Sequence, residues 1–331
     1  MKVFITGAAG FVGSHVARQL VERGDTVRAL IRPTSNTANL DRLGCDLIRG
    51  DLQDPESLER GMAGCKAVFH VAADYRLWSR NPKELYQSNV EGTRNVLCAV
   101  KSARIERMVY TSTVGALGIP PNGGSGTEET PVSLSDTVGH YKRSKFAAEE
   151  LVRDFVKQEG LPVVIVNPST PVGEGDVKPT PTGKLIVDFL NGRMPAYIQT
   201  GLNLVDVRDV ATGHLLALER GRPGRRYILG HENVTLKRIL ELLAEITGRP
   251  APKVRMPYGV AYAAGTIDSF IFGTMLRREP HIPLEGVRMA RKYMYFDSSR
   301  AVNELGLPQT PIKEALARSV KWFNDNGYTI S

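Results

Sequence analysis

The chain has 331 residues, 42% of them hydrophobic and 24% charged, with a net charge of +8. Those fractions exclude a disordered or fibrous chain, and the length allows one nucleotide-binding domain with a smaller companion. Three cysteines (Cys45, Cys65, Cys98) without a CxxC pair, and six histidines without HExxH spacing, argue against a disulfide scaffold and against a metal site, and favour a reducing, cytoplasmic setting.

Residues 2–6 read as a strand running into a glycine turn, not as a signal peptide. Residues 11–23 have helical spacing, with Val12, Val16 and Leu20 on one face. Strands follow at 26–31 and around Leu47 and Ile48. A short helix at 55–62 is opened by Asp54 as a cap and Pro55 at its first position. A strand at 67–71, a long helix at 82–102, a strand at 107–111, a helix at 141–158 and a strand at 162–166 complete the first half. This alternation predicts an α/β fold, a doubly wound parallel sheet of the Rossmann type over residues 1–166. Residues 167–331 are expected to form a smaller substrate domain, with some segments returning to the sheet. The stretch 167–184 reads as an irregular, site-lining loop, and helices follow near 210–219 and 236–247.

The basic residues are scattered. Their densest group, Arg220, Arg222, Arg225 and Arg226, is interrupted by glycine and proline and reads as a solvated turn, so no nucleic-acid partner is expected. No apolar run approaches the ~20 residues of a spanning helix.

Gly7, Gly10 and Gly13, with Phe11 and Val12 between them, join the first strand to the first helix. Glycine lets the backbone approach a pyrophosphate, and the helix N-terminus offers it free N–H groups. NAD sites usually place an acid at the end of the second strand. This chain has Arg32 there, suited to a 2′-phosphate, so NADP(H) is favoured with NAD(H) as the alternative. Asp51 and Leu52 are placed near the adenine. Val71, Ala72 and Ala73 are expected to lay their backbone against the cofactor, and Thr111 and Pro168, at strand ends, are assigned to the same site.

Tyr141 precedes Lys145 by four residues, which puts both on one helix face about 6 Å apart at Cβ. A nearby ammonium should lower the tyrosine pKa from about 10 and suit it to proton exchange with a substrate oxygen. Ser112 and Thr113 end the fifth strand and can hold that oxygen in the crevice.

TGAAGFVG (6–13), HVAA (70–73), NVEGTRNVL (89–97), YTST (110–113) and YKRSK (141–145) occur in this order, and by them the chain resembles the extended short-chain dehydrogenases/reductases over nearly its whole length. The resemblance implies Thr113 as the catalytic hydroxyl beside Ser112, Asn89 as a helix asparagine near the cofactor, and pairing into a homodimer. AADYRLW (72–78), NPSTPVG (167–173), KPTPTGK (178–184) and FLNGRMPAY (189–197) resemble the dihydroflavonol-reductase-like branch, and within it the hopanoid-associated sugar epimerases.

On the substrate side, Tyr75, Arg76 and Trp78 should overhang the pocket, with Thr170, Lys178 and Thr180 as further candidates. A sugar, polyol or lipid-linked carbonyl is the expected substrate. Three functions follow: a reductase, an epimerase with transient oxidation, and a non-catalytic NADP-binding regulator. Intact Tyr141, Lys145 and Thr113 weigh against the last. Residues 260–275, mostly apolar and followed by Arg277 and Arg278, are read as a packed helix rather than a membrane-surface one.

Overall fold

The structure, a computed structural model, describes residues 1–329 apart from Leu77, Asn122 and Arg277. Its strands are β1 (Lys2–Thr6), β2 (Thr26–Ile31), β3 (Asp46–Arg49), β4 (Ala67–His70), β5 (Arg107–Thr111), β6 (Val163–Pro168), β7 (Thr170–Val172), β8 (Ala196–Ile198), β9 (Gly201–Asp206), β10 (Arg226–Leu229), β11 (Glu232–Thr235) and β12 (Val254–Met256). Seven of them form one parallel sheet in the order β10-β6-β5-β4-β1-β2-β3.

Period-two alternation decides what each face of this sheet buries. Val3, Ile5, Phe69, Val109 and Val164 point to one side. There they meet Val16 and Leu20 of the helix Phe11–Glu22, and Val210 and Ala217 of the helix Val207–Arg220. Phe4, Val68, Met108, Tyr110 and Ile165 point to the other. They meet Leu58 of the helix Pro55–Met62, Val96 of the helix Gly92–Ser102 and Val152 of the helix Gly139–Glu159. Both faces are buried, which is why the strands read as nearly continuous apolar runs.

Strand order reverses between β1 and β4. The carboxyl ends of those two strands open the crevice where such sheets take their ligands. A third cluster, with Ile186, Phe189, Leu240, Leu243, Leu316 and Phe323, gathers the C-terminal helices around β9.

Three local readings change. β6 runs two residues past Val166, to Pro168, and stretch 167–184 gains β7 and the start of the helix Pro181–Leu190. Residues 226–229, not read as a strand from the sequence, return to the sheet beside β6. The helix expected at 82–102 is helical over Lys83–Tyr86 and Gly92–Ser102, but widens to a π turn over Gln87–Glu91. A π turn re-aims side chains locally. Here it accompanies an inward-facing Asn89, whose Nδ2 donates to the Asp74 carbonyl (2.9 Å) and to Ser144 Oγ (2.9 Å), while its Oδ1 accepts from Asp74 N (2.8 Å).

Two histidines are sealed in this core. Burial lowers His70 to about 3 and His214 to about 4, so both are neutral in the fold. Unfolded, each takes up a proton below its ordinary 6.5. Their contribution is therefore full above pH 6.5 and is lost as the pH falls through that window towards 4. Asp176, raised by burial to about 6, works in the opposite sense, because the fold takes up its proton first on acidification. The expected outcome is a melting temperature that falls from pH 6.5 to 4, with a shallower slope in His70→Gln. Equal slopes in thermal melts of the two proteins would contradict this account.

Candidate active site

β1 delivers the chain directly into the glycine turn. Gly7 has φ +75°, and a Cβ on it would lie 2.5 Å from Ala72 N, so the backbone that follows β4 is pressed against the turn. A Cβ on Gly13 would lie 2.0 Å from the Gly7 carbonyl. The helix Phe11–Glu22 starts at Gly10 with no side-chain cap, leaving its first N–H groups facing the crevice. Phe11 and Val12 are half-buried, as are Val71, Ala72 and Ala73.

The catalytic candidates converge at the end of β5. The Thr113 side chain lies beside the Tyr141 phenol, and its hydroxyl accepts from Gly115 N (3.0 Å). Ser112 is buried, and its Oγ has no hydrogen-bond partner among the described residues. Lys145 is buried one helical turn beyond Tyr141, but its amine does not reach for the phenol. Nζ donates to the Thr111 carbonyl (2.8 Å) and to the Tyr110 hydroxyl (3.1 Å). The Thr111 side chain faces away, to His214 Nε2 (2.9 Å). Pro168, the last residue of β6, is buried close by in sequence to Asn167, whose Nδ2 donates to the Thr113 carbonyl (3.1 Å) and to Glu149 Oε2 (2.7 Å).

A buried hydrogen-bonded chain joins the lysine to the glycine turn. Lys145 donates to the Tyr110 hydroxyl, which lies beside Thr93. Thr93 Oγ1 donates to the Asn89 carbonyl (2.6 Å) and meets His70 Nε2 at 3.0 Å. His70 Nδ1 meets Thr6 Oγ1 at 2.7 Å, and Thr6 Oγ1 accepts from Ala72 N (3.3 Å). With the Thr93 proton committed to Asn89, His70 must carry its proton on Nε2 and accept from Thr6 on Nδ1. Thr93, His70 and Thr6 are then satisfied by one arrangement of protons.

The electrostatics overturn one expectation. Tyr141 is not lowered; it is pushed up to about 12. Burial is the largest cause. The Thr113 side chain opposes it, while Asp74 and Tyr75 add to it. Lys145 cannot offset this while its charge is turned to Tyr110 and Thr111, and desolvation lowers the amine itself to about 8, against Glu149 raising it.

The remaining residues scatter more widely. Arg32 is exposed and forms no ion pair among the described residues. Asp51 Oδ1 accepts from Gln53 N (2.9 Å) and so holds its own turn, with Leu52 half-buried beside it. Tyr75 donates to the Lys178 carbonyl (3.3 Å), which links the β4 loop to the later chain. Burial raises Tyr75 to about 12. Trp78 is half-buried. Arg76 is held by Asp74 (2.6 Å) and Glu84 (3.1 Å), so its guanidinium is already neutralised and does not stand ready for a phosphate. Thr170 is taken into β7 opposite Leu204, and the Lys178 side chain is exposed. The Thr180 hydroxyl donates to Asp176 (2.8 Å) and caps the helix Pro181–Leu190.

Sequence reasoning missed Asp74, Thr93, Ser144 and Glu149. All four carried a signal: Asp74, Thr93 and Ser144 lie inside AADYRLW, NVEGTRNVL and YKRSK, and Glu149 follows Lys145 by the same four-residue step that links Lys145 to Tyr141.

A family profile described as the NAD dependent epimerase/dehydratase family matches residues 3–230. The chain belongs to that family. It is an extended short-chain dehydrogenase/reductase, an NAD(P)-dependent enzyme. It is 49% identical to a putative dihydroflavonol 4-reductase of Synechocystis sp., over 98% of this chain and 95% of the relative. It is 36% identical to the sterol demethylase protein B of Methylococcus capsulatus, over 99% of each. Among solved structures it is similar to a nucleoside-diphosphate-sugar epimerase from Pseudomonas aeruginosa, with 30% identity, a TM-score of 0.83 and coverage of 100% and 99%.

The family's nicotinamide cofactor fits the residues present. A cradle that any Cβ would fill, an uncapped helix N-terminus and the orphaned Ser112 hydroxyl all lie at the sheet's switch point. Gly7→Ala should therefore lower NADP affinity on the order of tenfold or more and reduce stability by about 1–3 kcal/mol, through strain at positive φ and the clash with Ala72. Calorimetric titration with NADP and a thermal melt check both. Unaltered affinity would count against this cradle.

Proposed function

We propose that this protein is an NADP(H)-preferring carbonyl reductase in which Tyr141 is the proton donor. The observation that carries the proposal is the placement of the Thr113 side chain beside the Tyr141 phenol at the carboxyl end of β5. A substrate carbonyl oxygen placed between them takes one hydrogen bond from each. When bound, the nicotinamide supplies the hydride at the carbonyl carbon. Tyr141 passes its proton to the oxygen as negative charge builds there. At neutral pH the phenol carries the proton that reduction consumes. Thr113 fixes the oxygen and lowers the cost of the developing charge. Lys145, still largely protonated at neutral pH, adds a positive field from the neighbouring turn and is braced by Glu149, which Asn167 holds.

Arg32 supports NADP(H) over NAD(H). It is exposed at the end of β2 and forms no ion pair among the described residues, so its guanidinium is free to meet a 2′-phosphate. Tyr75 and Trp78 provide aromatic walls for the substrate, and Arg76 acts by positioning Asp74 rather than by contact.

The second reading is epimerisation of a sugar with transient oxidation. The family description and the Pseudomonas aeruginosa relative favour it. Oxidation needs the phenolate, and Lys145 would have to turn from Tyr110 to stabilise it.

Tyr141→Phe is expected to lower kcat by about 10²–10⁴-fold while leaving NADP affinity within a few-fold. Stopped-flow and titration measure the two, and a retained kcat would remove Tyr141 from the chemistry. Stoichiometric loss of NADPH absorbance with a ketone substrate distinguishes reduction from epimerisation, which shows none. For the cofactor, Arg32→Asp should weaken NADP on the order of 10–100-fold with little change for NAD. Equal weakening of both would remove Arg32 from the 2′ site.

A further inference from the structure

The helix Tyr258–Asp268 and the π turn Ser269–Met275 that continues it are arranged inside out. The buried positions are small: Ala261 and Gly265, the latter pressed against Val287 and Ile282. The large apolar side chains face solvent. Val260 is 56% exposed, Ile267 60%, Phe270 59% and Met275 67%, with Ile271 and Leu276 beside them. A helix on an ordinary soluble surface turns such a stripe inward.

From residue 258 to 276 the only charged residue is Asp268, and it is turned inward, accepting from Ile282 N (2.8 Å). Cations stand at both ends: Lys253 and Arg255 lead into the helix through β12, and Arg278 stands two residues past Leu276. All three are exposed and, among the described residues, form no ion pair. Contiguous apolar surface with a basic rim marks an interaction site.

We propose that this face docks the protein on an anionic lipid bilayer, with Val260, Ile267, Phe270 and Met275 entering the headgroup–acyl boundary and Lys253, Arg255 and Arg278 meeting lipid phosphates. No helix among the described residues is long and apolar enough to cross a membrane, so the segment lies on the surface. Charge favours lipid over a second copy of the chain, since a two-fold contact would set the same cations against each other. The net charge of +8 acts in the same direction. The face also adjoins the mouth of the active site. A Cβ on Gly273 would lie 3.1 Å from Trp78 Nε1, so the π turn rests on the indole that rims the substrate side. Docking sets that rim beside the bilayer. The proposal does not depend on which reaction the site performs.

The test is co-sedimentation of the full chain with vesicles of equal parts phosphatidylcholine and phosphatidylglycerol, and with vesicles of phosphatidylcholine alone. Binding is expected to the anionic vesicles, weaker by on the order of tenfold for Ile267→Glu/Phe270→Glu, and reduced by added salt. Both substituted positions are exposed, so the melting temperature of the double variant should match that of the wild type and secures the comparison. Wild-type protein that stays in the supernatant would overturn the proposal. So would equal binding by the double variant, or light scattering showing that the double variant splits an oligomer into single chains.

Discussion

Burying the Lys145 amine is the constraint around which the crevice is organised. An ammonium in a dry core is costly unless its donors are met, and Lys145 meets the Thr111 carbonyl and the Tyr110 hydroxyl. Tyr110 is itself wholly buried, and Thr93 lies beside its hydroxyl. Thr93 passes the network on to His70, and His70 to Thr6. The chain ends on Ala72, where the backbone presses against Gly7. A polar network of this kind, fully satisfied, fixes one geometry, because breaking any link strands a buried polar atom. The lysine and the glycine cradle are thereby held in register across β4 and β1.

The same burial determines how the tyrosine behaves. Desolvation raises Tyr141 more than its neighbours lower it, and Asp74 adds to the rise. Helix spacing brings a tyrosine and a lysine to one face, but it does not set where the amine points. A low dielectric favours the neutral phenol. The outcome is a phenol that holds its proton at neutral pH, so the state of the tyrosine follows from packing as much as from residue identity.

The first unit of the fold was largely legible in the chain. Gly7, Gly10 and Gly13 sit between a strand and a helix, and backbone sterics leave few other uses for that pattern. Val3, Ile5, Val109 and Val164 alternate with residues that face the other side, so a sheet covered twice was implied by local periodicity. Tyr141 and Lys145 were legible because the helix repeat puts them on one face, while Thr113 was singled out from Ser112 by the family resemblance. The second half was less readable. Residues 226–229 are a strand only because β6 offers an open edge, and the helix Tyr258–Asp268 could not be oriented from periodicity, since apolar residues occur on both of its sides.

The sequence alone determined the doubly wound sheet, the glycine turn and the Tyr141–Lys145 pair, because these rest on local sterics and on the periods of helix and strand. Tertiary structure decided the rest: the amine of Lys145 turned to Tyr110, Arg76 already bound by Asp74 and Glu84, and the large side chains of residues 260–275 facing out. Each of these depends on which partners arrive from distant parts of the chain, and short-range pattern carries no record of that.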